Sequence, residues 1–224
     1  MEATIDLERC LKILADTRTS PSIHLNHLIG STYQFLGESE KAGEYRDRAF
    51  EKAIATDNDS ALCWMIETEM QQGIQPDWET YLLPKRRRTS VISTLAKVAE
   101  WFFENGDSST ANKICREIET VGMSYSAGAA IGSDGMRVMR SDIWGQLMSA
   151  RAWAAAGNFD RSVEIVSDIS EYHRYEAMRL VARLRASEPT DELQAWFDSL
   201  PGPEMQAYAM LGVLEQRRAD STSK

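Results

Sequence analysis

The 224 residues carry 25 Lys and Arg against 34 Asp and Glu, a net charge of −9. That balance argues against generic nucleic-acid binding, which needs a cationic face to offset phosphate charge, and it mostly confers solubility. At 43% hydrophobic and 26% charged, the chain has an ordinary globular composition. It is long enough to bury a sizeable core in one large domain or one continuous solenoid. It has no apolar run of the roughly 18 residues that a membrane span needs.

The first sixteen residues carry acids early and lack a basic leader region, so they read as an amphipathic helix rather than a signal peptide. Ile5, Leu7, Cys10, Leu11 and Leu14 form its apolar set. Cys10, Cys63 and Cys115 lie far apart in apolar helical contexts, without the paired spacing of a redox or metal site. They read as reduced, buried thiols of a cytoplasmic protein.

Apolar spacing then predicts helices over 22–36, 39–55 and 61–72, with a turn at Asp57-Asn58-Asp59 and a short connector over 76–83. The basic run Lys85-Arg86-Arg87-Arg88 could meet nucleic acid, an acidic partner or a neighbouring subunit. The plainer reading is a solvated segment ahead of a helix. Cations oppose the dipole at a helix N-terminus, so the helix is expected to begin after them, at Thr89 or Ser90. Helices follow over 89–105 and 108–120. Residues 122–135 hold four glycines and little charge and read as a loop, with no strand before it and no Gly-Lys-Ser/Thr after it to make a phosphate cradle. Further helices are expected over 137–156, 159–170, 172–187, 191–200 and 204–218, then a disordered tail over 219–224. No stretch alternates with a period of two, so no strand is expected and the fold class is all-α.

One plan recurs. Take Gly37, Gly106 and Gly157 as origins. Four residues earlier stand Tyr33, Phe102 and Trp153, all aromatic. Seven earlier stand Gly30, Ala99 and Ala150, and five later stand Ala42, Ala111 and Ser162, all small. Small residues let two helices approach closely, and the aromatic fills the space between hairpins. That is the pattern of stacked helical hairpins.

This spacing resembles the tetratricopeptide repeat. In the best copy, over 23–57, Ile29-Gly30, Tyr33, Ala42 and Ala49 stand where that family has its Leu-Gly, Tyr, Ala and Ala. The family's leading Trp is Asn26 here, its second-helix aromatic is Arg46, and its closing Pro is Ile54. Copies over 92–120 and 143–170 keep the residue classes, spaced irregularly against a repeat of about 34 residues. The resemblance implies an α-α superhelix, one tetratricopeptide-like domain over 1–218, acting as a protein–protein interaction module or adaptor. A peptide or partner helix would lie on the concave face lined by the first helix of each hairpin. Carried onto this chain, those positions are His24, His27 and Ser31, then Ala96 and Glu100, then Trp144, Leu147 and Arg151. The Lys and Asn with which some members grip a terminal carboxylate are not at these positions, which argues against a chaperone-tail receptor.

Chemistry finds little purchase. His24 and His27 lie one helical turn apart, but a metal needs three or four ligands, and no Cys or acid stands at ligand spacing. His173 sits near a helix start and reads as surface or capping. Glu38/Glu40 and Glu67/Glu69 are two apart, do not share a helix face, and read as solvated. No hydrolase, metalloprotease or nucleotide-loop motif is present, so no catalytic residue, metal or cofactor is expected. Trp144, beside Arg140 and Arg151, is the aromatic best suited to a ligand groove; packing beneath the 123–135 loop is its plainer reading. The rival functions are an RNA-binding repeat groove, which needs Arg137, Arg140 and Arg151 on one surface with the basic run, and an enzyme built from dispersed residues. Self-association is a further expectation for the last helix, over 204–218, because solenoid ends must be capped.

Overall fold

A computed structural model describes residues 9, 11–13, 22–124 and 141–222, and among them every regular element is helical. The chain divides into two compact units, Met1–Pro84 and Lys85–Lys224.

In the first unit, α1 (Ile23–Phe35) and α2 (Ser39–Ala55) form a hairpin, followed by α3 (Asp59–Gln71) and a single turn, α4 (Trp78–Tyr81). Ser22 caps α1, its side chain accepting from the Leu25 N–H at 3.2 Å. Ile29, Tyr33 and Ala42 make the hairpin's core, with Leu11, Leu25, Leu36 and Tyr45 packed on it. Beneath α3, Phe50, Leu62, Met65 and Ile66 are fully buried, and Phe50 stacks on Tyr81 with centroids 4.0 Å apart. A β-carbon at Gly30 would lie 3.0 Å from the Ala42 carbonyl oxygen and 3.2 Å from the Arg46 nitrogen. The two helices therefore cross backbone against backbone.

The second unit holds α5 (Thr89–Glu104), α6 (Ser108–Ser124), α7 (Ser141–Ala155), α8 (Phe159–Asp168), α9 (Glu171–Arg183), α10 (Thr190–Ser199) and α11 (Pro203–Thr222). The α5/α6 and α7/α8 pairs are hairpins, and α7 also packs on α5 and α6. The α1, α5 and α7 helices end alike. The N–H after Gly37, Gly106 and Gly157 reaches back to the carbonyl of Tyr33, Phe102 and Trp153, at 2.9, 2.8 and 2.8 Å. This is the Schellman closure, and it requires a left-handed residue at the glycine. At Gly157, φ is +77°, which favours glycine, and an added β-carbon would lie 2.5 Å from the outer edge of the Phe103 ring, which would have to swing aside. Asn158 then caps α8 by accepting from the Arg161 N–H at 3.1 Å. The small positions meet as their spacing predicts: the Ser162 hydroxyl donates to the Ala150 carbonyl at 2.7 Å.

Several boundaries differ from the sequence reading. The α5 helix begins at Thr89, past the basic run, as the dipole argument requires. The α6 helix continues to Ser124, into the glycine-rich stretch, whose remainder lies outside the described residues. The α9 helix ends at Arg183, where the backbone tightens into turns closed by the Leu184 and Arg185 N–H groups. The expected tail is helical as far as Thr222, its last turns supported by the Ser221 and Thr222 hydroxyls on the Arg218 and Ala219 carbonyls.

Candidate functional site

A cleft of about 160 Å³ opens in the first unit. His27, Gly30, Ser31 and Gln34 line it from α1, and Ser39, Ala42, Gly43 and Arg46 from α2. Glu69 of α3, with Gln72 and Ile74 just beyond it, closes the far side.

The centre of the cleft is an ion pair. Glu69 is 1% exposed, at an inward position one turn after Met65 and Ile66. Both its oxygens are taken by Arg46, Oε1 by Nε and Oε2 by Nη2 at 3.0 Å. A carboxylate this deep is tolerable only when paired and hydrogen-bonded, and the two-point guanidinium fork supplies both conditions. Glu69 is therefore not on a solvated face, as its spacing from Glu67 predicts; its partner comes from another helix, where a within-helix rule does not look. The Arg46 side chain keeps 32% of its surface exposed, and its Nη1 makes no hydrogen bond among the described residues.

His27 is 3% exposed, set edge-on to Phe50 and Trp64 at centroid distances of 6.4 and 5.1 Å. Its Nε2 lies 3.9 Å from Glu69 Oε1, beyond hydrogen-bond length. Its Nδ1 is buried and finds no partner among the described residues. Ser31 accepts a long hydrogen bond, 3.4 Å, from the Gln72 side-chain amide. An amide cannot take a hydroxyl proton, and Glu69, held by both oxygens, is poorly placed to act as a base. The cleft sets hydrogen-bond donors and acceptors around a paired charge.

Of the first three expected site residues, His27 and Ser31 line the cleft. His24 does not; it is exposed and lies against Trp64 with centroids 4.6 Å apart. The other expected residues belong to the second unit. Ala96 and Leu147 are buried. Glu100 and Arg151 face each other electrostatically: burial pushes the Glu100 carboxyl above its ordinary value, and Arg151 opposes that rise. Trp144 is half-buried, and its indole Nε1 finds no acceptor among the described residues. Arg137 and Arg140, which the RNA reading needs beside Arg151, lie outside the described residues. In the basic run, Arg86 lies 3.3 Å from Glu117 of α6.

Sequence reasoning missed Arg46, Glu69, Gln34, Gln72 and Gly43. One signal was legible: Arg46 stands where the repeat pattern has an aromatic, and an arginine at an inward position needs an acid nearby.

Among the described residues no three His, Cys, Asp or Glu side chains could share a metal ion, and no helix is long and apolar enough to cross a membrane. Cys63 and Cys115 are buried and form no disulfide with a described residue. Compared with known proteins, the chain matches no family model, no curated protein and no solved structure.

Proposed function

We propose that this all-α chain is a helical-hairpin interaction module, of the tetratricopeptide-like kind, that binds a peptide segment of another protein. The observation that carries the reading is the cleft between α1 and α2. It presents His27, Ser31, Gln34, Arg46 and Gln72 on rigid helices. Helices hold such groups more firmly than loops do, so little ordering cost attends binding. The Arg46–Glu69 pair leaves the cleft polar without a strong net charge, which suits a neutral peptide better than a phosphate backbone.

The test is selection from a displayed library of random dodecapeptides on the immobilised full-length chain. A shared motif should be enriched, and its synthetic peptides should bind with micromolar affinity by fluorescence polarisation. Binding should fall at least tenfold in the Gln34→Ala/Gln72→Ala double variant, which changes only side chains at the cleft mouth. No enrichment above the uncoated surface overturns the reading. Enriched RNA in a parallel selection, with none among peptides, puts the repeat-groove nucleic-acid function in its place.

A further inference from the structure

The chemistry of the cleft points to one kind of guest, and this inference rests on the reading that the cleft receives a peptide segment.

Gly43 is the first clue. It stands inside α2, where glycine costs about 1 kcal/mol relative to alanine. Gly30 has a packing reason, because its β-carbon would strike the backbone of α2. Gly43 has none: a β-carbon there would meet nothing within 4 Å. It lines the cleft, so a side chain at this position would occupy space that is now open to a guest. A helix-interior glycine without a packing reason leaves the backbone open to close approach by a guest.

Arg46 is the second clue. Glu69 occupies the Nε/Nη2 edge of its guanidinium. The Nη1 end is left as a donor on a part-exposed side chain, held rigid by the buried acid. The guest must therefore present an acceptor. That acceptor should be neutral, because Arg46 is the sole Lys or Arg among the cleft's lining residues, and Glu69 already neutralises it. A carboxylate placed there would share one guanidinium with a buried carboxylate. Third, Ser31, Gln34, Ser39 and Gln72 around the mouth supply oxygens that can accept from the guest. His27 Nδ1, an orphan nitrogen in the lining, marks a place where polar contact is incomplete; such atoms in native structures call for an occupant or a water. Finally, the cleft offers about 160 Å³. That leaves room for a short polar side chain entering from the mouth.

We propose that the cleft is a carboxamide pocket. It takes a Gln or Asn side chain of the bound segment, with the amide oxygen on Arg46 Nη1 and the amide NH2 on the hydroxyl and amide oxygens at the mouth.

The experiment is a heteronuclear NMR titration of the full-length, 15N-labelled chain with N-acetylglutamine N-methylamide, repeated with N-acetylglutamate N-methylamide. The glutamine compound should shift the Gly43 backbone amide, the Gln72 side-chain amide and the Arg46 Nε–H saturably, at millimolar concentration. The glutamate compound should bind at least tenfold more weakly. Gly43→Leu fills the open space and raises helix propensity, so it should stay folded and lose the shifts. The inference fails if neither compound moves these signals, if glutamate binds as well as glutamine, or if the shifts persist in Gly43→Leu. Library peptides that bind the chain without depending on a Gln or Asn overturn this inference alone and leave the interaction function standing; an empty library selection removes the interaction function itself.

Discussion

Arg46 and Glu69 come from different helices, 23 positions apart, and meet as a two-point ion pair with the carboxylate almost wholly removed from water. The pair joins α2 to α3 and fixes the guanidinium at the edge of the cleft. Removing one partner leaves the other's charge without compensation, at a typical cost of about 3–5 kcal/mol, whereas replacing both with apolar residues of similar length costs less. Arg46→Met strands the buried Glu69 carboxylate and is expected to destabilise the chain by about 3 kcal/mol in urea titration, Glu69→Met by less because the Arg46 guanidinium is part-exposed, and the double variant by clearly less than the sum. Additive costs would show that the two groups are not coupled.

The two helical glycines of the first hairpin should respond in opposite directions. Gly30→Ala places a β-carbon 3.0 Å from the Ala42 carbonyl oxygen, and backbone cannot step aside as a side chain can. A loss of about 1–3 kcal/mol is expected, the usual range for overpacking. Gly43→Ala meets open space and removes the entropy cost of glycine in a helix, so a gain of up to about 1 kcal/mol is expected. Thermal unfolding followed by circular dichroism should therefore move the two midpoints apart. A common shift downward would show that Gly43 too is held by packing.

These contrasts show which parts of the fold were legible in the sequence. Hairpin turns were, because a glycine with positive φ leaves a local mark: Gly37, Gly106 and Gly157 each follow an aromatic by four residues, and that aromatic's carbonyl closes the turn. Helix–helix contact was legible where it needs small residues, as at Gly30 against Ala42 and Ala150 against Ser162. The site was less so. His27 and Ser31 were reached through periodicity along a single helix. Glu69 was assigned to solvent because its burial depends on Arg46 of the preceding helix, and no spacing rule within one helix reports that. The end of α11 was placed too early for a similar reason. Ser and Thr read as tail residues, yet here their hydroxyls bond back to carbonyls of the preceding turn.

In the second unit, Glu100 and Arg151 test whether α5 and α7 share an electrostatic surface. Burial raises the Glu100 carboxyl above its ordinary value near 4.5, Arg151 pulls it back, and Glu104 raises it further. An acid raised in the folded state holds its proton after the unfolded chain has lost it. Its contribution is therefore most favourable at low pH and declines as pH rises through the ordinary carboxyl range. Arg151→Ala should move the Glu100 midpoint higher in a side-chain carboxyl NMR titration. Glu100→Gln should leave stability at pH 7 unchanged or raise it by a few tenths of a kcal/mol, given its partial exposure. An unmoved midpoint in Arg151→Ala would separate the two side chains.

Cys115 gives the last test, and it bears on the core of the α5/α6 hairpin. The thiol is fully buried in the structure. Burial pushes its pKa up to about 12, with the nearby Glu119 charge adding to the rise. The thiolate is the reactive form, so the native chain at pH 8 should leave Cys115 unalkylated by iodoacetamide over hours, as read by peptide mass mapping, and label it promptly in urea. The sign of the pH effect follows from the same shift. The unfolded thiol ionises near about 8.5, so between that value and about 12 the unfolded chain has released a proton that the native chain retains. Stability should fall with rising pH across that window, by up to about 1.4 kcal/mol per pH unit from this one group. Cys115→Ala should flatten the slope between pH 9 and pH 11 while costing some packing at neutral pH. An unchanged slope in the variant, or rapid alkylation of the native thiol at pH 8, would place Cys115 outside a closed core.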